Sequence, residues 1–478
     1  RFLYSRIQLK CFRIVKYYQE LIIDKVVIKE GKNYSLNMEW VKMLEKFSQG
    51  VLEEYSSQKD HTNPELEVAY GHSTKQNPSK AGEEAAEEAL EKIRFHQNDL
   101  QLALVFAGSC YEQDFSALLQ GTKRVLGNTL LLGISTFGEI ADNRFNESVT
   151  LILFAAKKEN FQVETSYVEI KDYDNYDKYS SKLIKNVNLK NSNFAFIFFP
   201  GPSQENGMTN IAPSFISSFS KYLPANLPLI GGVAADDGKL IKTYQFFNGS
   251  IYNKAVILAA VKTNIKFAIA AEHGYSHFNP EKQYKFKLEQ NTIKEISIQE
   301  KNKVLPFDSA TKVYAKEVGV SAEVLKEVMP YFAGPKGNFK QWIKLTAFAN
   351  KLKPHILNYP FDIDGNGLIF TGYYSENEPM IMMDTNGDNL IKSFKSVIIK
   401  AIEKLDDPQI IIAFPCAIYN VILTTFQNEI KALKSEELFS NIPIAGAYVN
   451  VEIGPYDGKN IDFCNGSIVC LVLGKNRT

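Results

Sequence analysis

The chain alternates apolar and polar stretches in one pattern three times. An apolar run (102–107, 194–199 and 410–414) leads through a polar loop into a helical stretch. A second apolar run ends on glycine, at Gly133, Gly231 and Gly446. An acidic loop follows, then Asn-x-Ser beginning at Asn146, Asn248 and Asn465, then a last apolar run at 149–155, 255–261 and 468–473. Short apolar runs bounded by turn residues read as buried strands. One Asn-Gly is an ordinary hairpin turn, but three Asn-x-Ser tripeptides at the same place in three similar stretches predict an internal structural repeat. The tripeptides also fit the N-glycosylation pattern, yet turn chemistry explains them here. Helices alternating with strands predict an α/β class, with repeated strand-helix-strand-loop-strand units forming mixed sheets in two related lobes.

Other elements are read locally. Residues 66–70 form a strand, and 81–93 a helix with Ser79 as N-cap and Glu83 and Glu84 in its first turn. A strand-rich stretch covers 263–300 and a helical one 309–329. Short strands flank 362–367, and a helix follows, capped by Asp388 or Asn389. Near the start, Val41, Leu44, Phe47, Val51, Leu52 and Tyr55 recur at helical spacing. That helix either packs on the body or connects to an upstream domain, and the polar run 56–64 reads as a linker.

At 478 residues the length suggests two or three domains. Lysine plus arginine equals aspartate plus glutamate at 54 each. With no basic excess or stripe, nucleic-acid binding is not expected. Apolar runs are far short of a membrane span, and no signal peptide is visible. The cysteines (Cys11, Cys110, Cys416, Cys464 and Cys470) form no Cys-x-x-Cys pair. They read as free thiols in a reducing compartment, so a cytoplasmic location is expected. The chain begins at Arg1 rather than methionine, as a piece of a longer protein would.

Three segments carry a family likeness. They are Gly133-Ile-Ser-Thr-Phe-Gly-Glu-Ile140, Leu227-Pro-Leu-Ile-Gly-Gly-Val-Ala-Ala-Asp-Asp237 with Thr243-Tyr-Gln-Phe-Phe-Asn-Gly249, and Pro443-Ile-Ala-Gly-Ala-Tyr-Val-Asn-Val-Glu-Ile453 with Phe463-Cys-Asn-Gly466. Together they resemble the FIST sensory domains. Two departures stand out: Gly274-Tyr-Ser-His277 replaces a Gly-Trp turn, and Asn450-Val451 replaces a tight glycine turn. Residues 1–64 are read as a helical N-terminal extension and linker, and the resemblance implies a FIST N-terminal domain at 65–295 and a FIST C-terminal domain at 296–478. It implies a small-molecule ligand, such as an amino acid, and an output partner such as a kinase or chemoreceptor. No output domain is recognised in the chain itself.

The acidic loops are the leading ligand candidates: Glu139, Asp236, Asp237 and Glu452, with Ser135, Thr136 and Tyr448 beside them in the family-like segments. Loops at strand ends are where α/β proteins place ligands, and a carboxylate there holds an ammonium. The plainer reading is that these carboxylates fix the turns. Residues 362–367 imitate a calcium loop, but its twelfth position is Tyr373 rather than glutamate, so a β-turn is expected. His273 and His277 lack a third ligand nearby in sequence, and no metal or cofactor is expected. The rival function is a hydrolase or transferase using Cys110 or Ser109; no acid–base partner for either is visible in sequence, so no catalytic residue is assigned. An adaptor of the F-box kind is the third reading.

Overall fold

The computed structural model describes residues 27–30, 33–36, 65–142, 148–203, 210–289, 292–328, 346–370, 376, 378–405, 407–422, 442–456 and 461–475. The helix expected over 41–55, the linker at 56–64, Asn146 and Tyr373 lie outside these residues. The chain divides into two parts, 1–64 and 65–478. In the first, Val27–Glu30 pairs antiparallel with Asn33–Leu36. Everything below concerns the second.

Its class is α/β with mixed sheets, and three of the sheets are built alike. Unit one comprises β1 (Leu66–Ser73), β2 (Leu100–Gly108), β3 (Leu131–Thr136), β4 (Glu139–Ala141) and β5 (Val149–Ala156). Unit two comprises β6 (Phe161–Glu169), β7 (Phe194–Phe199), β8 (Leu229–Val233), β9 (Gln245–Phe247), β10 (Ser250–Tyr252) and β11 (Ala255–Thr263). Unit three comprises β12 (Phe267–His273), β13 (Asp407–Pro415), β14 (Ile444–Ala447), β15 (Val451–Gly454), β16 (Asp462–Cys464) and β17 (Ser467–Lys475). The sheet orders are β10-β9-β3-β2-β5-β1, β16-β15-β8-β7-β11-β6 and β4-β14-β13-β17-β12. In each, the two middle strands of the unit run parallel and the others antiparallel.

No unit completes its own sheet. Unit two lends β9 and β10 to unit one, unit three lends β15 and β16 to unit two, and unit one lends β4 to unit three. The exchange closes in a ring, so the edge beside each glycine-ended strand is covered by a neighbour's backbone. Aligned registers pair Val105 with Gly133, Ile197 with Gly231, and Ala413 with Gly446. One residue further along these central strands stand Phe106, Phe198 and Phe414. Their rings meet edge to face, with centroids 6.0, 5.5 and 6.1 Å apart. All three are buried in one core that draws on every unit.

Between β12 and the helix Gly387–Ile402, unit three carries a further sheet within 274–386. It is built around the hairpin Lys282–Glu289 and Thr292–Glu300, and the helix Ala310–Val318 packs on it. Position 296 falls inside this second hairpin strand.

Several local expectations shift by a few residues. The first helix spans Pro78–Leu90 with Asn77, not Ser79, as N-cap; its Oδ1 accepts from Lys80 N–H. Pro78 at the first position sets the start there. Glu83 and Glu84 consequently fall beyond the first turn, and Glu84 accepts instead from Ser73 and pairs with Lys75. The helix near Asp388 starts at Gly387 and is capped by Asn386, which accepts from Asn389 N–H. Asn248 and Gly249 both have positive φ (+51° and +87°), as the tight hairpin between β9 and β10 requires.

Truncating one of the three central rings leaves a cavity bounded by the other two. Phe106→Ala, Phe198→Ala and Phe414→Ala should each cost about 3–5 kcal/mol in urea unfolding. Because the rings touch, a double variant should lose clearly less or more than the sum of its singles.

Candidate functional site

The glycine that ends each second strand allows the central strands to approach. A Cβ on Gly133, Gly231 or Gly446 would lie 1.8, 2.0 or 1.9 Å from the carbonyl oxygen of Val105, Ile197 or Ala413. Gly231 and Gly446 also have φ of +151° and +153°, which other residues rarely adopt. Beyond the glycines the three loops interlock. Phe137 N–H donates to Tyr448 O (2.9 Å), Ala235 N–H to Ser135 O (2.9 Å) and Asn450 N–H to Val233 O (3.0 Å). Each unit thus bonds to its neighbour at the same place.

On the lent strands, one register position recurs. Glu139 pairs with Ala447, Glu452 with Gly232, and Gln245 with Ile134, each one step past the glycine's partner. Each side chain accepts the backbone N–H that opens the last strand of its own unit. Glu139 takes Ser148 N–H at 2.8 Å, Glu452 takes Ser467 N–H at 2.8 Å, and Gln245 takes Ala255 N–H at 3.0 Å. The counterpart of the two glutamates in unit two is therefore Gln245. The acidic pair Asp236 and Asp237 belongs to a longer loop before it. Counting forward from each glycine reaches Glu139 and Glu452 but misses Gln245, which shares with Glu139 its spacing from the last strand of the unit.

The carboxyls differ in what they have left to offer. Glu139 is fully buried; besides Ser148 N–H it accepts the Ser148 hydroxyl (2.7 Å) and the Thr136 hydroxyl. Burial outweighs these bonds and pushes its pKa up to about 8. Asp236 accepts three consecutive N–H groups, from Leu240, Ile241 and Lys242, at 2.9, 2.8 and 3.0 Å. Burial raises it to about 6 despite those bonds. Glu452 is buried with its pKa raised, chiefly by desolvation. Its Oε1 has no N–H or O–H donor among the described residues, and the Cys416 thiol is its neighbour. Val449 stands where unit one has Thr136, which removes the hydroxyl that completes Glu139.

Ser135 is buried and latches two units, donating to Ala235 O (2.7 Å) and accepting from Tyr244 N–H (2.9 Å). Tyr448 is buried in the core of unit three. Asp237 is half-buried, with φ +56°. It accepts the hydroxyl of Ser109, at the end of β2 of unit one. Lys239 donates to the same Ser109 oxygen at 2.8 Å and lies 3.7 Å from Glu112. Lys239 was not legible as a site residue, because 130 positions separate it from Ser109 and no motif links them. This junction of units one and two joins an ammonium, a hydroxyl and a carboxylate.

The remaining candidates take structural places. Asp364 and Gly367 close a hairpin, with Gly365 at φ +63°. His273 accepts Tyr275 N–H (3.1 Å) and stacks on Tyr456. No group of three His, Cys, Asp or Glu residues suited to a metal occurs among the described residues. Cys110 is exposed, whereas Cys416, Cys464 and Cys470 are buried. No described helix is long and apolar enough to cross a membrane.

Residues 101–297 match the family model described as the FIST N domain, which supports the FIST family for that segment. An uncharacterized protein of Methanocaldococcus jannaschii is 24% identical over 217 residues, 44% of this chain and 40% of that protein. The chain thus spans about 40% of the length of that relative. Among solved structures, a cyanuric acid hydrolase aligns over 86% of this chain and 100% of its own, at 8% identity and a TM-score of 0.31. A chorismatase aligns over 86% and 99%, at 6% identity and a TM-score of 0.33. Similarity that low carries no argument about chemistry.

The raised pKa of Glu139 generates a pH test. Between its ordinary value of 4.5 and about 8 the folded state holds a proton that the unfolded state has released. Stability therefore falls as pH rises through that window. Gln245 already shows an amide in the equivalent place. Glu139→Gln should gain on the parent in Tm as pH rises from about 5 to 8; a constant difference across that range would contradict a buried, proton-holding carboxyl.

Proposed function

We propose that residues 65–478 form a small-ligand-binding sensory module of the FIST type, with the matched N domain followed by a C-terminal FIST domain. It would act in intracellular signal transduction in the cytoplasm, passing its signal to an output protein such as a kinase or chemoreceptor. The observation that carries the ligand site is the junction of Asp237, Ser109 and Lys239. Glu139 and Asp236 spend their oxygens on neighbouring backbone and hydroxyl groups. Asp237 and Lys239 are the half-exposed charges of opposite sign, and Lys239 is 39% exposed at its side chain. A ligand of the amino-acid kind fits this pair, its ammonium toward Asp237 and its carboxylate toward Lys239. This reading assigns the module ligand binding.

Once a ligand is found by thermal shift among amino and organic acids, calorimetry tests the site. Losing one charged contact costs about 1.5–3 kcal/mol, so Asp237→Asn should bind roughly ten- to a hundredfold more weakly. Glu139→Gln should bind like the parent. Equal affinity of parent and Asp237→Asn would sink the assignment.

A further inference from the structure

We infer that Ser109 is a nucleophile, so that the junction of units one and two can transfer or hydrolyse an acyl group as well as bind a ligand. The inference rests on the reading that ligands reach this junction. Its basis is the way the hydroxyl is held. Ser109 Oγ donates to the Asp237 carboxylate and accepts from the Lys239 ammonium at 2.8 Å. The carboxylate draws the proton away from Oγ, and the ammonium is placed to stabilise negative charge that develops on oxygen. The three groups come from two units, so their meeting is a product of the fold rather than of a local turn.

The loop bearing the base is itself constrained. Asp237 and Leu240 have φ of +56° and +53°. For leucine this is an outlier. The strain is held because Asp236 binds the N–H groups of Leu240, Ile241 and Lys242 at once. Strained backbone that fixes reactive groups is a common mark of a working site. Here it fixes Asp237 and Lys239 relative to Ser109. Ser109 is only 4% exposed, but Lys239, which caps its oxygen, is half-exposed, so the hydroxyl lies one flexible side chain from solvent.

The chemistry balances with water as the second reactant. Ser109 Oγ forms a bond to the acyl carbon while its proton passes to Asp237. The tetrahedral intermediate then breaks the bond to the leaving group, which takes that proton. Water attacks the acyl-serine, gives a proton to Asp237, and releases the acid as Oγ recovers its hydrogen. The substrate class is an ester or amide small enough to enter between Asp237 and Lys239.

The test is labelling of the full chain with a fluorophosphonate, which forms an O–P bond at a nucleophilic serine and releases fluoride. Phosphonylation should map to Ser109 by peptide mass spectrometry and vanish in Ser109→Ala. It should slow about tenfold or more in Asp237→Asn and Lys239→Met, at melting temperatures close to the parent's. Cys110→Ala should label like the parent. The inference is overturned if the folded parent labels no more than Ser109→Ala, if the label sits on another residue, or if Asp237→Asn leaves the rate unchanged. Absence of labelling with ligand binding intact would sink the nucleophile alone. Labelling of Ser109 in a protein that binds no amino or organic acid would support the nucleophile and count against the sensory reading.

Discussion

The way the three units of residues 65–478 face one another depends on the packing of Phe106, Phe198 and Phe414. Edge-to-face contact among three rings places the electropositive edge of one over the electronegative face of the next. A three-membered cluster can satisfy that preference around its whole circuit. The rings sit on the central strand of each unit, so seating them fixes how the three sheets face one another. Once they are seated, each sheet has an open edge beside its glycine-ended strand, and the lent strand of the next unit covers it. The glycines follow from the same constraint, since a Cβ there would strike the carbonyl of the neighbouring central strand.

The closure explains why two buried glutamates and one glutamine are interchangeable at a single register position. What the fold requires there is one oxygen to accept the N–H that opens the last strand, in a site closed to water. An amide supplies it without charge, and a carboxyl supplies it at lower cost when it keeps its proton. The upward pKa shifts of Glu139 and Glu452 are therefore what a structural acceptor looks like in a dry site. A perturbed pKa is commonly taken as a sign of function. Here the comparison with Gln245 separates the two meanings, because the second unit fulfils the same role with a group that cannot titrate.

Much of this was legible in the sequence. The three apolar runs, their terminal glycines and the turns at Asn248 and Asn465 are local signals, and they mark the units. The exchange of strands was not legible, since pairings such as Gly446 with Ile140 join residues some three hundred positions apart. The strand-rich stretch at 263–300 was legible, but not that β12 joins unit three while the hairpin Lys282–Glu289 and Thr292–Glu300 starts a separate sheet, because both read locally as strands. Among the candidate residues, a run such as Ala-Ala-Asp-Asp shows that carboxylates lie in a loop. It does not show that Asp236 spends both oxygens on the backbone while Asp237 meets a serine from another unit. Adjacent identical residues part company because one points into its own loop and the other across the junction.

The departures from threefold likeness are then the informative places. Where the units agree, as at the phenylalanines, the glycines and the strand-opening acceptors, the residues answer to closure of the ring. Unit two breaks the pattern with the longer loop that carries Asp236, Asp237 and Lys239, and that loop reaches Ser109 of unit one. A loop that served closure alone would need no charged pair, because Gln245 already makes the closing bond. Its left-handed residues, its three N–H groups gathered on one carboxylate and its contact across the junction need some other cause. Arranging Asp237 and Lys239 about the Ser109 hydroxyl supplies one.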